Sequence, residues 1–274
     1  MALNSQQQAE GIVGDINKLA QDLVTVNKQL QEAGGSRHTP NDLLDTRDKI
    51  LAQMSKQVQI STIEADNGMV NVFVAGSQPL VLGQSANRLA VNPDPADNSR
   101  IALSFVQGGV ATPLSEATLG GGELSGLMTF LTKDLTAVQN QLGRLALASA
   151  TTVNNQHALG VDLQGNPGQD FFIPPAAAVG MPDPANTGNA TVSAGVSDPA
   201  ALMASDYEMR FSAGSVSVVR LSDGDSTSFA VPPTAFNKDG LTFNIDSGAA
   251  AAGDRRGRRT PPRRLLRRLW FRPA

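Results

Sequence analysis

The 274-residue sequence contains no cysteine. Disulfide bonds, thiolate nucleophiles and cysteine-ligated metal sites are therefore excluded, and the fold depends on side-chain packing alone. Aromatic residues are also scarce, at 4% of the chain. Because ligand pockets are lined mainly by hydrophobic and aromatic side chains, this composition argues against a deep small-molecule site. It favours helices and sheets that act through their surfaces, and no cofactor is predicted.

Long apolar runs are absent as well. No stretch of about 18 consecutive apolar residues occurs, so the sequence predicts no membrane span. No basic and apolar leader with a small-residue cleavage site opens the chain, so no cleaved secretory signal is predicted. If the protein leaves the cell, another route carries it.

Charge is distributed unevenly along the chain. Residues 1–254 hold all 25 Asp and Glu but only 13 of the 22 Lys and Arg, a net charge of −12. The last twenty residues contain nine arginines and no acid. Because phosphate binding needs a basic surface, nucleic acid is not an expected partner of the acidic body.

Three stretches carry apolar residues at alternating spacings of three and four, the repeat of a helix with a coiled-coil seam. They span 8–32, 41–58 and, after a glycine hinge at 120–122, a stretch ending near 153. The residues predicted to pack are Leu43, Leu44, Arg47, Ile50 and Leu51 in the second helix and Leu124, Met128, Leu131, Leu135, Val138 and Leu142 in the third. The expected product is an elongated bundle of long heptad-patterned helices.

The stretch "NDLLDTRDKIL" (41–51) places charged residues among large aliphatic ones. Asp42, Asp45 and Asp48 fall mostly off the apolar stripe, in the first two turns, where the helix dipole favours negative charge. Arg47 lies close to the stripe, so its stem can cover the apolar row while its guanidinium reaches a carboxylate on the next helix. A general base would need a partner acid and a cleft, and the pattern indicates structural pairing instead.

Alternating patterns predict two antiparallel β regions. The run "ISTIEADNGMVNVFV" has two β-rich segments around Asn67-Gly68, a strong hairpin signal. The fold class is therefore α+β, an elongated helical bundle with two antiparallel β regions. The predicted segments are two helices in 1–60, a small β unit in 61–114, a long helix returning to the bundle in 115–160, a linker in 161–189, a second and incomplete β domain in 190–254, and an Arg-rich tail in 255–274.

Catalytic and ligand-binding motifs do not emerge. "GGELSG" has Glu123 where the first glycine of a nucleophile elbow belongs, and the glycines at 120–122 precede a heptad helix rather than a βαβ unit. The two histidines, His38 and His157, have no second histidine at ligand spacing. "SDGDS" (222–226) lacks the closing glutamate of a calcium loop and predicts a β-turn. The sequence predicts neither an enzyme nor a metal site.

Several motifs together resemble one family. "NDLLDTRDKILAQMSKQVQI" looks like the signature helix of the bacterial flagellar hook-associated protein 1 family, the hook–filament junction protein. The resemblance continues in order over nearly all of residues 1–255 through "NGMVNVFVAGSQPLVLG", "GGELSGLMTFLTKDL", "LGRLALASATTVNNQHALGVDLQGNPGQDFF", "RLSDGD" and "GLTFNIDSGAAAAGDR".

This resemblance implies a non-enzymatic structural protein of the flagellum that serves assembly and motility. It implies export through the flagellar type III apparatus to the cell exterior, self-association in a ring, and contacts with the hook protein and the second hook–filament junction protein. It also implies that the chain is an internal fragment without the terminal helical segments, so binding of an export chaperone through the C-terminal part is not expected. The alternative is a secreted adhesin or a phage-tail-like binding module.

The Arg-rich tail departs from the family pattern. Family members tend to continue past "GDR" with an apolar strand, whereas this chain reads "RGRRTPPRRLLRRLWFRPA". The hypothesis is a frame change in a GC-rich gene, which would enrich arginine codons; otherwise the tail is a disordered cationic segment. Neither membrane nor nucleic acid is predicted as a partner.

Overall fold

The computed structural model describes residues 2–33, 41–65, 68–94, 97–183 and 185–258. The helices in these residues are α1 (Ala2–Ala33), α2 (Asn41–Gln57), α3 (Glu123–Thr129) and α4 (Leu135–Ala158). A 3-10 turn, Glu116–Thr118, precedes α3, and a π-helical stretch, Phe130–Asp134, connects α3 to α4. The chain divides into two compact units, Met1–Asp134 and Leu135–Ala274.

Sixteen strands lie in the described part of the chain, and all of their pairings are antiparallel. Those of the first unit are β1 (Ile60–Glu64), β2 (Val70–Val74), β3 (Gln78–Leu82), β4 (Ser85–Ala86), β5 (Arg88–Asp94), β6 (Asp97–Gln107) and β7 (Val110–Leu114). Those of the second unit are β8 (Ala178–Val179), β9 (Met181–Pro182), β10 (Thr191–Val196), β11 (Tyr207–Ser212), β12 (Ser215–Arg220), β13 (Ser226–Ala230), β14 (Ala235–Lys238), β15 (Leu241–Ser247) and β16 (Arg255–Arg258).

The first unit contains two sheets, ordered β1-β2-β3-β4 and β5-β6-β7. Neighbours in each sheet are also neighbours in sequence, so short turns determine the topology. The β6–β7 turn is Gly108-Gly109, with φ of 57° and 84°, a pair that glycine adopts without strain. In β2, Val70, Val72 and Val74 are buried, so one face of this sheet belongs to the core.

Helix α1 lies along this core. Its apolar row is buried at Ile12, Ile16, Leu23, Val26 and Leu30, and the same core contains buried side chains from α2, α3 and the strands of both sheets. α1 contacts β3, β4 and β5 as well as α2 and α3. The amphipathic row therefore packs on sheets as much as on helices.

The predicted fold class, an elongated bundle of long heptad-patterned helices with two antiparallel β regions, is wrong. The described residues contain only α1, α2 and one helical run of 36 residues, Glu123–Ala158, beside sixteen strands in four antiparallel sheets. The 3/4 repeat predicts an apolar helix face but does not specify what covers it, because a sheet can bury such a face as well as another helix can.

The second unit is built on two sheets that share one core. Their strand orders are β14-β15-β10-β8 and β13-β12-β11-β16-β9. The core combines inward-facing residues of both sheets, including Tyr207, Met209, Phe211, Val218 and Phe243, with Leu147 of α4. Burial alternates along β11, as expected for a strand with one face in a core.

Helix α4 buries a face that the heptad pattern did not predict. Its buried residues are Asn140, Gly143, Leu147, Ala150 and Asn154. The predicted positions Val138 and Leu142 are instead 59% and 48% exposed. The predicted row was counted as if the helix were α-helical throughout. A π turn contains more residues than an α turn, so positions beyond the π-helical stretch are rotated away from the face of those before it.

The predicted tail begins as a strand. Arg255–Arg258 form β16, which pairs with Tyr207–Arg210 of β11. Residues 259–274 lie outside the described residues, and so does Asn67 of the predicted hairpin turn.

Candidate functional site

Arg47 connects helix α2 to the first sheet. Its Nη1 donates to Glu64 Oε1 at 2.6 Å and to the carbonyl of Gly68 at 3.0 Å, while its Nε donates to Asp48 Oδ1 at 2.9 Å. The Arg47 side chain is 13% exposed. Burial disfavours the charged guanidinium, but the bonds to Glu64 and Asp48 outweigh it and raise the pKa of Arg47. Its carboxylate partners are on α2 itself and on strand β1, rather than on a second helix.

The aspartates of this stretch do not form a catalytic cluster. Asp42, Asp45 and Asp48 are all exposed. Within the described residues, no group of three or more His, Asp or Glu side chains is arranged to hold a metal ion. The geometry of 41–51 is therefore that of an anchor between a helix and a hairpin.

The predicted packing residues fall into three groups. Ile50, Leu124 and Met128 are buried in the first core. Leu43, Leu44 and Leu51 are partly buried and pack against that core. Leu131 and Leu135 are half-buried, whereas Val138 and Leu142 are exposed.

Two asparagines that sequence reasoning missed hold α1 to the sheets. Asn27 is fully buried; its Nδ2 donates to the carbonyls of Val70 and Gly83 at 2.9 and 2.7 Å, and its Oδ1 accepts from the Val70 N–H at 3.0 Å. Asn17 pairs in the same way with both backbone groups of Leu89, at 2.9 and 2.8 Å. Each amide side chain thus completes the hydrogen bonding of a strand as a neighbouring strand would.

A sequence signal for Asn27 exists. It lies four residues after Leu23 and three before Leu30, inside the apolar row. An amide at such a position is either buried with partners or strongly destabilising, so it marks a polar contact in the core. Asn154 of α4 repeats this arrangement with both backbone groups of Phe172, at 2.7 and 2.8 Å.

A charged network closes one part of the second unit. Arg220 binds Asp223 at 2.7 Å and Asp239 at 2.9 Å, and Tyr207 Oη donates to the same Asp239 carboxylate at 2.7 Å. Buried Lys238 donates to Asp225 Oδ2 at 2.8 Å. Hydrogen bonding from Arg220 lowers the pKa of Asp223 to about 2, and burial followed by the Asp239 contact raises the pKa of Tyr207.

The stretch 222–226, which the sequence predicts to be a β-turn, belongs to this network. Two of its carboxylates are already paired with Arg220 and Lys238. Charge pairing thus holds the connection between β12 and β13 against β14. The role of these carboxylates is structural.

Each unit has a surface cavity among its described residues. One, of about 590 Å³ in the first unit, is lined by polar groups that include Arg100, Glu116, Thr132 and Lys133. The other, of about 370 Å³, lies beside Arg256 in the second unit. His157 contacts the carbonyl of Gln169 through Nδ1 at 2.6 Å and is not among the lining residues of either cavity. His38 lies outside the described residues.

Arg256 is a buried cation with few partners. It is 4% exposed, and its Nη2 donates to the Gly188 carbonyl at 3.1 Å, whereas its Nε has no hydrogen-bond partner. It lies opposite Met209 across the β11–β16 pair, on the core side of the sheet. Nearby Asp254 is held by the N–H groups of Ala251 and Thr187, and these bonds lower its pKa.

No helix in the described ranges is long and apolar enough to cross a membrane.

Comparisons with known proteins agree with this description. Residues 1–172 match the family model of the flagellar hook-associated protein FlgK helical domain, and residues 181–256 match a D2-like domain of flagellar hook-associated protein 1. Flagellar hook-associated protein 1 of Escherichia coli K12 is 35% identical over 248 residues, which cover 88% of this chain and 45% of that protein. The Salmonella typhimurium protein is also 35% identical, over 86% of this chain and 44% of its own length.

A solved structure gives the same result. The flagellar hook junction protein FlgK from Burkholderia pseudomallei superposes with a TM-score of 0.84 at 31% identity, covering 93% of this chain and 47% of that one. The chain therefore spans about half the length of the relatives it matches.

Proposed function

Because this chain belongs to the flagellar hook-associated protein 1 family, we propose that it is a structural component of the bacterial flagellum at the hook–filament junction. The observation that carries the proposal is the match of both family domains in order, together with a fold that follows a hook junction protein over 93% of the chain. The residues support the same role. Arg47, Asn17 and Asn27 position structural elements, and Arg220 and Lys238 of the second unit are paired with carboxylates of the same unit.

The proposal extends to assembly. The chain associates with copies of itself in a ring and contacts the hook protein on one side and the second junction protein on the other. It acts by subunit packing, with no catalytic step. It reaches the cell exterior by the flagellar export route. Neither the adhesin nor the phage-tail alternative is favoured, because the family models, the curated relatives and the Burkholderia structure are all flagellar.

A chimera tests this role. Residues 1–258 replace the matched region of the Escherichia coli relative in a strain that lacks its own copy. Filaments on the hooks and restored swimming are expected, with the intact relative as the positive control. If the chimera is produced and exported at normal levels but the hooks carry no filament, the proposed junction role is wrong.

A further inference from the structure

The sequence contains two Asp–Gly steps, Asp223-Gly224 and Asp239-Gly240. Such a step readily rearranges without a catalyst, because glycine has no side chain to shield its nitrogen. The glycine nitrogen attacks the protonated aspartate side-chain carboxyl, a C–N bond forms and water leaves. Water then opens the succinimide ring, and attack at the former backbone carbonyl gives isoaspartate, in which the chain continues through the side-chain carboxyl carbon. Each step is therefore a latent modification site that needs no reactant other than water.

Both carboxylates bind the same guanidinium, that of Arg220 at the end of β12. Its Nε and Nη2 donate to the two carboxylate oxygens of Asp223 at 2.9 and 2.7 Å. Its Nη1 donates to Asp239 Oδ2 at 2.9 Å. Asp225 lies 3.6 Å from Nη2 and is paired with Lys238 at 2.8 Å. Strand pairing thus brings two separate turns to one cation.

The contacts of Asp223 oppose the first chemical step in two ways. Attack requires a neutral carboxyl, whereas the paired guanidinium donors stabilise the ionised form and lower the pKa of Asp223 to about 2. The two reacting groups are also held apart by their other partners. Asp223 Oδ1 accepts from the Asp225 N–H at 3.1 Å, and the Gly224 N–H donates to the Arg220 carbonyl at 2.8 Å.

The two steps differ in what else protects them. Asp239 Oδ2 also accepts a hydrogen bond from Tyr207 Oη at 2.7 Å, and its side chain is only 17% exposed. The Asp223 side chain is 50% exposed, and the side chain that holds it is that of Arg220. Loss of the guanidinium therefore affects Asp223 more than Asp239.

We propose that Arg220 protects both Asp–Gly steps from conversion to isoaspartate, and that Asp223-Gly224 is the first of the two to be modified when this guanidinium is lost. The dipeptides alone mark the two steps as equally reactive, and the fold gives them a shared hydrogen-bond donor. The inference concerns the chemical durability of the folded chain and does not depend on the proposed junction role.

Incubation of the full 274-residue chain at about pH 6 tests the proposal, with isoaspartyl methyltransferase labelling of the separated peptides that contain Asp223 or Asp239. Arg220→Gln is expected to raise isoaspartate formation at Asp223 at least about tenfold, because a carboxyl with its ordinary pKa is protonated more often at this pH. A smaller rise is expected at Asp239, which keeps its bond to Tyr207. Arg220→Lys keeps the charge without the planar set of donors, and an intermediate rate is expected.

Tyr207→Phe is the matched control, because it removes a hydrogen bond from the same network and leaves the contact between Arg220 and Asp223. Isoaspartate at Asp223 is expected to stay at the wild-type level in this variant. Circular dichroism at the incubation temperature verifies that each variant is folded. The wild-type chain unfolded in guanidinium chloride gives the rate without any protection, which is expected to exceed the native rate at both steps by at least about tenfold.

Three results would overturn the proposal. If the native wild type forms isoaspartate as fast as the unfolded chain, the fold does not protect these steps. If folded Arg220→Gln and Arg220→Lys react no faster than the wild type at Asp223, the turn backbone gives the protection and the guanidinium does not. If Tyr207→Phe accelerates the reaction at Asp223 as much as Arg220→Gln does, a general loss of stability is the cause.

Discussion

The side-chain amide of Asn27 is hydrogen-bonded to both backbone groups of Val70, with Nδ2 2.9 Å from the carbonyl oxygen and Oδ1 3.0 Å from the nitrogen. The pair joins the C-terminal part of α1 to strand β2 inside the first core. A backbone group buried without a partner costs as much as a lost hydrogen bond or more, so this one side chain satisfies groups that no strand reaches.

Removal of this amide is therefore costly. Asn27→Ala leaves Val70 and the Gly83 carbonyl without their partner, and we expect a loss of about 2–4 kcal/mol in the stability of the first unit. Native-state hydrogen exchange of the Val70 amide measures it directly. Asn155→Ala, at an exposed position of α4, is the control and is expected to change stability by less than about 0.5 kcal/mol. Equal protection of Val70 in both variants would contradict the role of Asn27.

Arg47 provides a second test. Arg47→Ala removes the contacts to Glu64, Asp48 and the Gly68 carbonyl, and a loss of about 1–2 kcal/mol is expected. Arg47→Lys is expected to recover little of this stability, because a lysine ammonium cannot reproduce the planar set of N–H donors with which the guanidinium contacts these groups. Urea unfolding followed by circular dichroism gives the midpoints. Lys49→Ala, two residues away and exposed, should have the same unfolding midpoint as the wild type. If Lys49→Ala loses as much stability as Arg47→Ala, the contacts of Arg47 are not the cause of the loss.

The low pKa of Asp223 predicts an acid dependence. Its folded pKa of about 2 lies below the ordinary aspartate value of 3.8, so the bond to Arg220 contributes stability above about pH 4, and this contribution is lost as the pH falls towards 2. Asp223→Asn should be less stable than the wild type at pH 6, and this difference should shrink between pH 4 and 2. Thermal unfolding across this range measures it, with exposed Asp170→Asn as the control. A difference that stays constant with pH would refute the linkage.

Two glycines on either side of the start of α3 should respond in opposite directions. Gly122 has φ of 93°, and an added Cβ would lie 2.7 Å from the carbonyl of Gln57, so Gly122→Ala is expected to destabilise by about 1–3 kcal/mol. Gly126 has open space around the same position, and Gly126→Ala is expected to stabilise the helix by about 0.5–1 kcal/mol. Thermal unfolding distinguishes them, and a shift of the same sign in both would contradict the geometry.

The helices could be predicted from the sequence because apolar periodicity records local geometry. The stretch predicted at 8–32 lies within α1, and the stretch predicted at 41–58 coincides with α2. The prediction failed at the level of tertiary packing, where an elongated helical bundle was expected. The same row that fits another helix also fits a sheet, and only the tertiary fold determines which surface meets it.

The buried face of α4 could not be predicted from apolar periodicity. Its buried row combines Leu147 with small and amide residues, such as Gly143, Ala150 and Asn154, while Leu142 and Leu145 are exposed. Gly143 and Ala150 are small enough to be buried where α4 packs closely, and Asn154 can be buried because it is hydrogen-bonded to the backbone of Phe172.

Localisation of the assembled chimera tests the central claim, that this chain is a building block between hook and filament. Cells carrying residues 1–258 in the Escherichia coli relative are labelled with a gold-conjugated antibody to these residues and examined by electron microscopy. The predicted result is a single band of label where the hook meets the filament. Label spread along the filament, or absent from hooks that nevertheless carry filaments, would contradict it.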